Sequence, residues 1–100
     1  MVQEIVWTSR AREDVRRIYD YIAADSARYA QVQVQTIQSV VASLAEFPSL
    51  GRSVPEFPGL PYREIIVGNY RVLYRFDERK GLVLIVAVIH GRQFLRQPPL

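Results

Sequence analysis

Apolar positions recur at helical spacing through the first half of the chain and at strand spacing through the second. Val2 to Thr8 opens with Ile5, Val6 and Trp7, a β-branched and aromatic run that predicts a strand. Thr8 or Ser9 then offers an N-cap oxygen to a segment in which Ala11, Val15, Ile18 and Ile22 fall on one face, with Arg12, Arg16 and Asp20 outside. This predicts an amphipathic helix ending near Ala24. Asp25-Ser26 supplies a second cap signal, and Ala30, Val34, Ile37, Val41 and Leu44 make the apolar stripe of a second helix of about twenty residues that ends before Pro48. So short a link folds the two back on each other as an antiparallel hairpin.

Pro48, Gly51, Pro55, Pro58, Gly59 and Pro61 make residues 48–61 a loop. Beyond it the period changes to two. Residues 62–67, 70–76 and 82–89 read as three strands, joined by Gly68-Asn69 and by residues 77–81, both of hairpin length. In the middle strand Tyr70, Val72, Tyr74 and Phe76 share a face, which predicts packing on the helices, and Arg71, Leu73 and Arg75 share the other. The last strand is apolar on both faces, as an interior strand should be, so the first strand is expected beside it. The expected fold is a single α+β domain over residues 1–100, two layers in the order β-α-α-β-β-β. Its antiparallel helical hairpin packs on a mostly antiparallel sheet whose other face presents arginines. Residues 93–100 show no packing period and read as a flexible tail, or as one that orders against a partner.

Length and composition agree with one self-sufficient core: 100 residues, 49% of them apolar. There is no cysteine and one His, which excludes disulfides, thiolate chemistry and a zinc site; no metal and no cofactor are expected. Glu4, Arg10 and Arg12 interrupt any secretory apolar run after Met1, and the longest apolar stretch, Leu82 to Ile89, is too short to span a bilayer, so a cytoplasmic protein with no membrane contact is expected.

Charge changes the picture more. Twelve of the thirteen basic residues are Arg, with Lys80 the exception. Residues 1–50 hold five Arg against six acids, residues 51–100 eight basic groups against four acids. High-GC codon usage accounts for Arg over Lys but not for this asymmetry, which points to an acidic partner, nucleic acid or protein. The candidate binding set for acidic groups or phosphate is Arg52, Arg63, Arg71, Arg75 and Arg92.

Two readings of that set stay open. In the first it serves metal-free RNA cleavage: Arg71, Arg63 and Arg92 neutralise phosphate charge, His90 acts as acid or base, and Glu56 in the loop is a candidate base. In the second, Arg63 and Arg71 pair with Glu64, Glu56 or a partner's acids, and His90 caps a strand end. The tyrosines Tyr62, Tyr70 and Tyr74 alternate with polar residues and read as core, not as base-stacking platforms.

Several fragments, in order, carry a family resemblance: Trp7-Thr8 leading to Ala11, Ile18-Tyr19-x-Tyr21-Ile22, Phe47-Pro48-x-x-Gly51-Arg52, Arg63-Glu64, Gly68-x-Tyr70-Arg71-Val72-Leu73-Tyr74, and Val88-Ile89-His90-Gly91-Arg92. Together they resemble the RelE/ParE superfamily of bacterial toxins over nearly the whole chain. The resemblance implies the toxin of a type II toxin-antitoxin module, held in a hetero-oligomer by an acidic, partly disordered antitoxin. It also implies one of two activities, cleavage of mRNA on the ribosome or poisoning of DNA gyrase. Arg71 matches the superfamily's strand arginine, His90 the histidine of one nuclease branch, and Glu56 that branch's loop acid. Gly91 stands where that branch has an aromatic residue, and the lysine-rich loop of the other nuclease branch is missing. The long helical hairpin also looks more like the ParE branch. The expectation is therefore a gyrase inhibitor, with a ribosome-dependent nuclease or an inactive antitoxin-binding homologue as the alternatives.

Overall fold

The computed structural model describes residues 2–99. Strand β1 (Glu4–Trp7) leads into helices α1 (Ser9–Ala23) and α2 (Ala27–Ser43), followed by β2 (Arg52–Ser53), β3 (Tyr62–Val67), β4 (Tyr70–Asp77) and β5 (Leu82–His90). Of the cap candidates, Thr8 and Ser26 are the ones that serve. Thr8 Oγ1 accepts the Ala11 N–H at 3.0 Å, and Ser26 Oγ accepts the Tyr29 N–H at 3.1 Å. Helix α2 stops sooner than its apolar stripe suggests. The N–H groups of Leu44, Ala45 and Glu46 reach back three residues instead of four, a tightening that winds the chain down ahead of Pro48.

The sheet runs β1-β5-β4-β3-β2, with β1 parallel to β5 and the other pairs antiparallel. The first strand therefore lies beside the last, as the two-faced apolarity of β5 requires. The sheet has one strand more than the sequence pattern indicates. Arg52 and Ser53, inside the Pro- and Gly-rich loop, pair with Glu64 and Arg63 to make the short edge strand β2, where two residues without an apolar period leave no strand signal. Between Leu73 and Tyr74 the β4–β5 register shifts, so that Leu73 opposes Ala87 and Tyr74 opposes Ile85. Val86 is the extra residue of a bulge, and Val86 and Ala87 both join the core on the side away from the helices.

The main core lies between hairpin and sheet: Ala11, Ile18, Ile37, Val41 and Leu44 meet Val67, Tyr70, Val72, Tyr74, Val83, Ile85 and Val88. The opposite sheet face corrects the expectation of exposed arginines. Leu73, Val86, Ala87 and Ile89 are apolar there, and Val54 and Phe57 of the loop, Tyr62, and Leu95 of the C-terminal segment cover them as a second core. Leu95 is thus packed on the sheet, within the segment whose lack of period suggests a loose tail; Leu100 lies outside the described residues.

The loop is fastened at Gly51. Its N–H donates to the Tyr74 hydroxyl at 2.8 Å, and that hydroxyl donates to the Pro48 carbonyl at 2.9 Å. A Cβ at Gly51 would lie 2.6 Å from the Glu64 carbonyl oxygen and 2.7 Å from the Tyr74 hydroxyl, so no other residue fits this approach. No helix among the described residues is long and apolar enough to cross a membrane.

Candidate functional site

Register decides which of the candidate residues can cooperate. Arg71 on β4 pairs with Ile66 and Ile89, so its side chain falls on the sheet face of the second core. Tyr70, one residue earlier, pairs with Val67 and His90 on the helix side. Arg71 and His90 therefore project from opposite faces of the sheet.

Arg71 is buried in a carboxylate clamp. Its Nη1 donates to Glu56 Oε2 at 2.8 Å and its Nη2 to Glu56 Oε1 at 2.6 Å, a bidentate pair. Its Nε donates to Glu64 Oε1 at 2.8 Å, its Nη2 lies 2.6 Å from the same oxygen, and its Nη1 also donates to the Gln93 carbonyl at 3.0 Å. These contacts match in number the N–H groups of a guanidinium. Arg52 closes the far side, its Nε and Nη2 each 2.8 Å from Glu64 Oε2. Two guanidinium groups and two carboxylates make a network of no net charge. Glu56 is bound most completely: both oxygens are held by Arg71, and Oε2 also accepts the Leu95 N–H at 3.1 Å. The hydrogen bonds from Arg71 outweigh the cost of burial and hold the Glu56 carboxyl down to about 2. Arg71 is raised in turn, chiefly by Glu56.

This network floors a 330 Å³ cleft whose rim includes Arg92, Ile66 and Phe94. Of the five candidate binding arginines, Arg52, Arg71 and Arg92 meet here. Arg63 points to the helix side and donates from Nη1 to the Gly51 carbonyl at 2.8 Å; Arg75 lies over the Tyr62 ring, 5.6 Å from its centroid. His90 is exposed at the end of β5, its ring edge-on to Tyr70 at 5.8 Å and its Nδ1 accepting the Arg92 N–H at 3.1 Å. A neutral imidazole so arranged carries its proton on Nε2. No cluster of three or more His, Cys, Asp or Glu side chains able to hold a metal occurs among the described residues.

A second surface was not singled out from sequence. A 690 Å³ groove runs along β1, lined by Ile5, Trp7, Val15, Tyr19 and Val34 and edged by Arg12 and Arg16. The N–H groups of Glu4 and Thr8 turn inward to Gly81 and Ile85, so alternation turns the peptide groups of Ile5 and Trp7 to the open side. Its one legible signal is Arg12 and Arg16, like charges four apart on a helix, an arrangement that is unfavourable without an acidic neighbour.

The family model described as the ParE toxin of the type II toxin-antitoxin system parDE matches residues 5–94. The chain belongs to this ParE toxin family. It is a toxin of a type II toxin-antitoxin module in the RelE/ParE superfamily, as the motif order implies. Toxin RelE2 of Caulobacter vibrioides is 36% identical to it over 88 residues, covering 88% of this chain and 94% of the relative. Solved toxin-antitoxin structures share the toxin's fold. The chromosomal ParDE system from P. aeruginosa superposes with a TM-score of 0.73 at 21% identity, over 89% of this chain and 96% of that one. The intact E. coli RelBE toxin-antitoxin complex gives 0.65 at 14% identity, over 91% and 99%.

Proposed function

We propose that this toxin poisons DNA gyrase in the cytoplasm and does not cut mRNA on the ribosome. The observation that carries this reading is the disposition of Arg71, Glu56 and His90. Metal-free RNA cleavage needs a cation free to meet developing phosphate charge, a base able to take a proton near neutral pH, and an acid on the same side of the scissile bond. Arg71 is already saturated by Glu56, Glu64 and the Gln93 carbonyl. Glu56, held near 2, is a very weak base. His90 belongs to the other face of the sheet. The ParE family match supports the same direction, while the name Toxin RelE2 of a relative favours the nuclease as the second reading.

The toxin's partner on this reading is a cognate antitoxin, as in the complexes of its structural neighbours. Its acidic, extended segment is placed in the β1 groove, where it would pair with the open edge of Ile5 to Trp7 and set its carboxylates against Arg12 and Arg16. Arg71 and Arg63 are engaged within the toxin, which moves the acid-binding role away from them.

The test is purified toxin with gyrase, ATP and supercoiled plasmid, followed by denaturation and electrophoresis. Linear, protein-linked DNA is the expected product. Codon-positioned mRNA cuts in a translating extract, without trapped gyrase, would establish the nuclease instead. Failure of both assays would leave an antitoxin-binding homologue and also overturn the proposal.

A further inference from the structure

On the helix side of the sheet, where the hairpin tip overhangs the ends of β4 and β5, lies a 650 Å³ groove separate from the clamp around Arg71 and from the β1 groove. Its floor is Tyr70, only 9% exposed, with His90 set edge-on against it. Tyr21 from the end of α1 and Tyr29 from the start of α2 flank the opening, 80% and 62% exposed. Nothing in the main core explains these two rings, which lie on the outer side of helices whose inner stripes are already packed.

The Tyr70 hydroxyl makes no hydrogen bond to another described residue. It is not sealed off either, since no buried side-chain oxygen or nitrogen among the described residues lacks a partner. A nine-tenths buried tyrosine thus keeps its polar end open to the groove. Burial raises its phenol above the ordinary range, with smaller contributions from Tyr21 and Tyr29, so the group stays a neutral donor.

Polar chemistry around these rings is of two kinds. Gln33 and Asn69 bring amide side chains, which can donate and accept along one edge of a planar ring. Arg10 and Arg17, on the same side of α1, line the wall. Each makes one long contact through Nε, Arg10 to Asp14 at 3.4 Å and Arg17 to Glu13 at 3.7 Å, which leaves the terminal nitrogens of both open to an anion. The carboxylate within the groove, Asp14, is turned toward the protein through Oδ2, which accepts the Val88 N–H at 3.0 Å and faces Arg10 Nε at 3.4 Å.

Aromatic faces beside amide edges and guanidinium groups are the elements that recognise an unstacked nucleobase and its phosphate. We propose that this groove binds a nucleotide unit of an unpaired nucleic acid strand, its base against the exposed rings of Tyr21 and Tyr29 with the Tyr70 hydroxyl as a donor at the floor, and its phosphate at Arg10 and Arg17. The inference is independent of the choice between gyrase and ribosome, since it concerns binding without any reaction. A base-paired duplex is excluded by the same chemistry, because its bases are stacked and cannot enter. Free nucleotide, single-stranded DNA and RNA share the recognised unit, and the test separates them.

The experiment is fluorescence anisotropy of the full-length toxin, freed of antitoxin, with labelled strands of about ten nucleotides. Oligo-deoxythymidine and oligo-uridine are compared with an abasic strand and a blunt duplex of equal length, and mononucleotides and inorganic phosphate serve as competitors. At least one base-bearing single strand is expected to bind about tenfold more tightly than the abasic strand and the duplex, with competition by mononucleotide and not by phosphate. Tyr21→Ala and Tyr29→Ala alter exposed side chains, so the fold is retained, and each is expected to weaken binding about fivefold or more. Arg79→Ala, in the distant β4–β5 turn, should leave it unchanged. Equal affinity for abasic and base-bearing strands, indifference to both tyrosine changes, or no binding at about millimolar strand would overturn the proposal. Preference for deoxyribose or ribose strands supports it and identifies the source.

Discussion

Arg71 and Glu56 meet as two parallel hydrogen bonds, Nη1 to Oε2 at 2.8 Å and Nη2 to Oε1 at 2.6 Å, with 7% and 5% of their side-chain surfaces exposed. The pair ties β4 to the loop between β2 and β3. Because Glu64 shares the same guanidinium, removing it leaves two buried carboxylates short of a partner. Arg71→Ala is expected to cost roughly 3–5 kcal/mol, a large part of a small domain's stability. Urea denaturation checks this; an unchanged midpoint would show that the clamp contributes nothing to the fold.

Glu56 gives a pH signature of known sign. Its carboxyl is lowered from 4.5 to about 2 in the folded toxin, so folding favours the ionised form. The stabilisation is fully present above the unfolded value and is lost as pH falls from there through the folded one. The wild-type unfolding midpoint should decline between these limits, and Glu56→Gln, less stable at neutral pH, should decline less. Thermal melts of both proteins across that range measure it; parallel curves would rule out Glu56 as the titrating group.

Asp14 of α1 reaches past the end of β1 to accept the Val88 N–H of β5 at 3.0 Å. The helix thereby satisfies a strand donor that the short parallel strand leaves over. Asp14→Ala is expected to cost about 1–3 kcal/mol by orphaning that N–H, and Asp14→Asn, which keeps an oxygen there, distinctly less. Chemical denaturation ranks the two, and faster hydrogen exchange at Val88 in the alanine variant alone would locate the effect.

Arg12 and Arg16 carry the proposed antitoxin seat. The double change to Ala should lower antitoxin affinity by about tenfold or more and flatten its salt dependence. Stability should change little, because relief of the like charges four apart is offset by loss of the Arg16–Asp20 attraction at the same spacing. Calorimetric titration with the cognate antitoxin at two salt concentrations tests this. Undiminished affinity would move the antitoxin elsewhere on the toxin.

Local pattern by itself determined the helices, the pairs of residues at which each is capped, the three long strands, and the placing of β1 beside β5. Each depends on spacing or on a cap within a few residues, and the ordered motifs of the superfamily rest on the same short segments. Tertiary structure alone decided what the arginines do. Periodicity assigns Arg71 to the face away from the helices but says nothing of what covers that face. Phe57 and Leu95, from a loop and a tail without period, seal it, and Glu56 of that loop joins Glu64 of the neighbouring strand β3 to neutralise the charge. Tyr70 and His90 became neighbours because they are paired across β4 and β5, and Tyr21 and Tyr29 joined them because the hairpin turns between them. A sequence counts charges and rings one at a time. Whether a charge is free or spent, and whether rings share a groove, depends on contacts between residues far apart in the chain, which only the packed fold supplies.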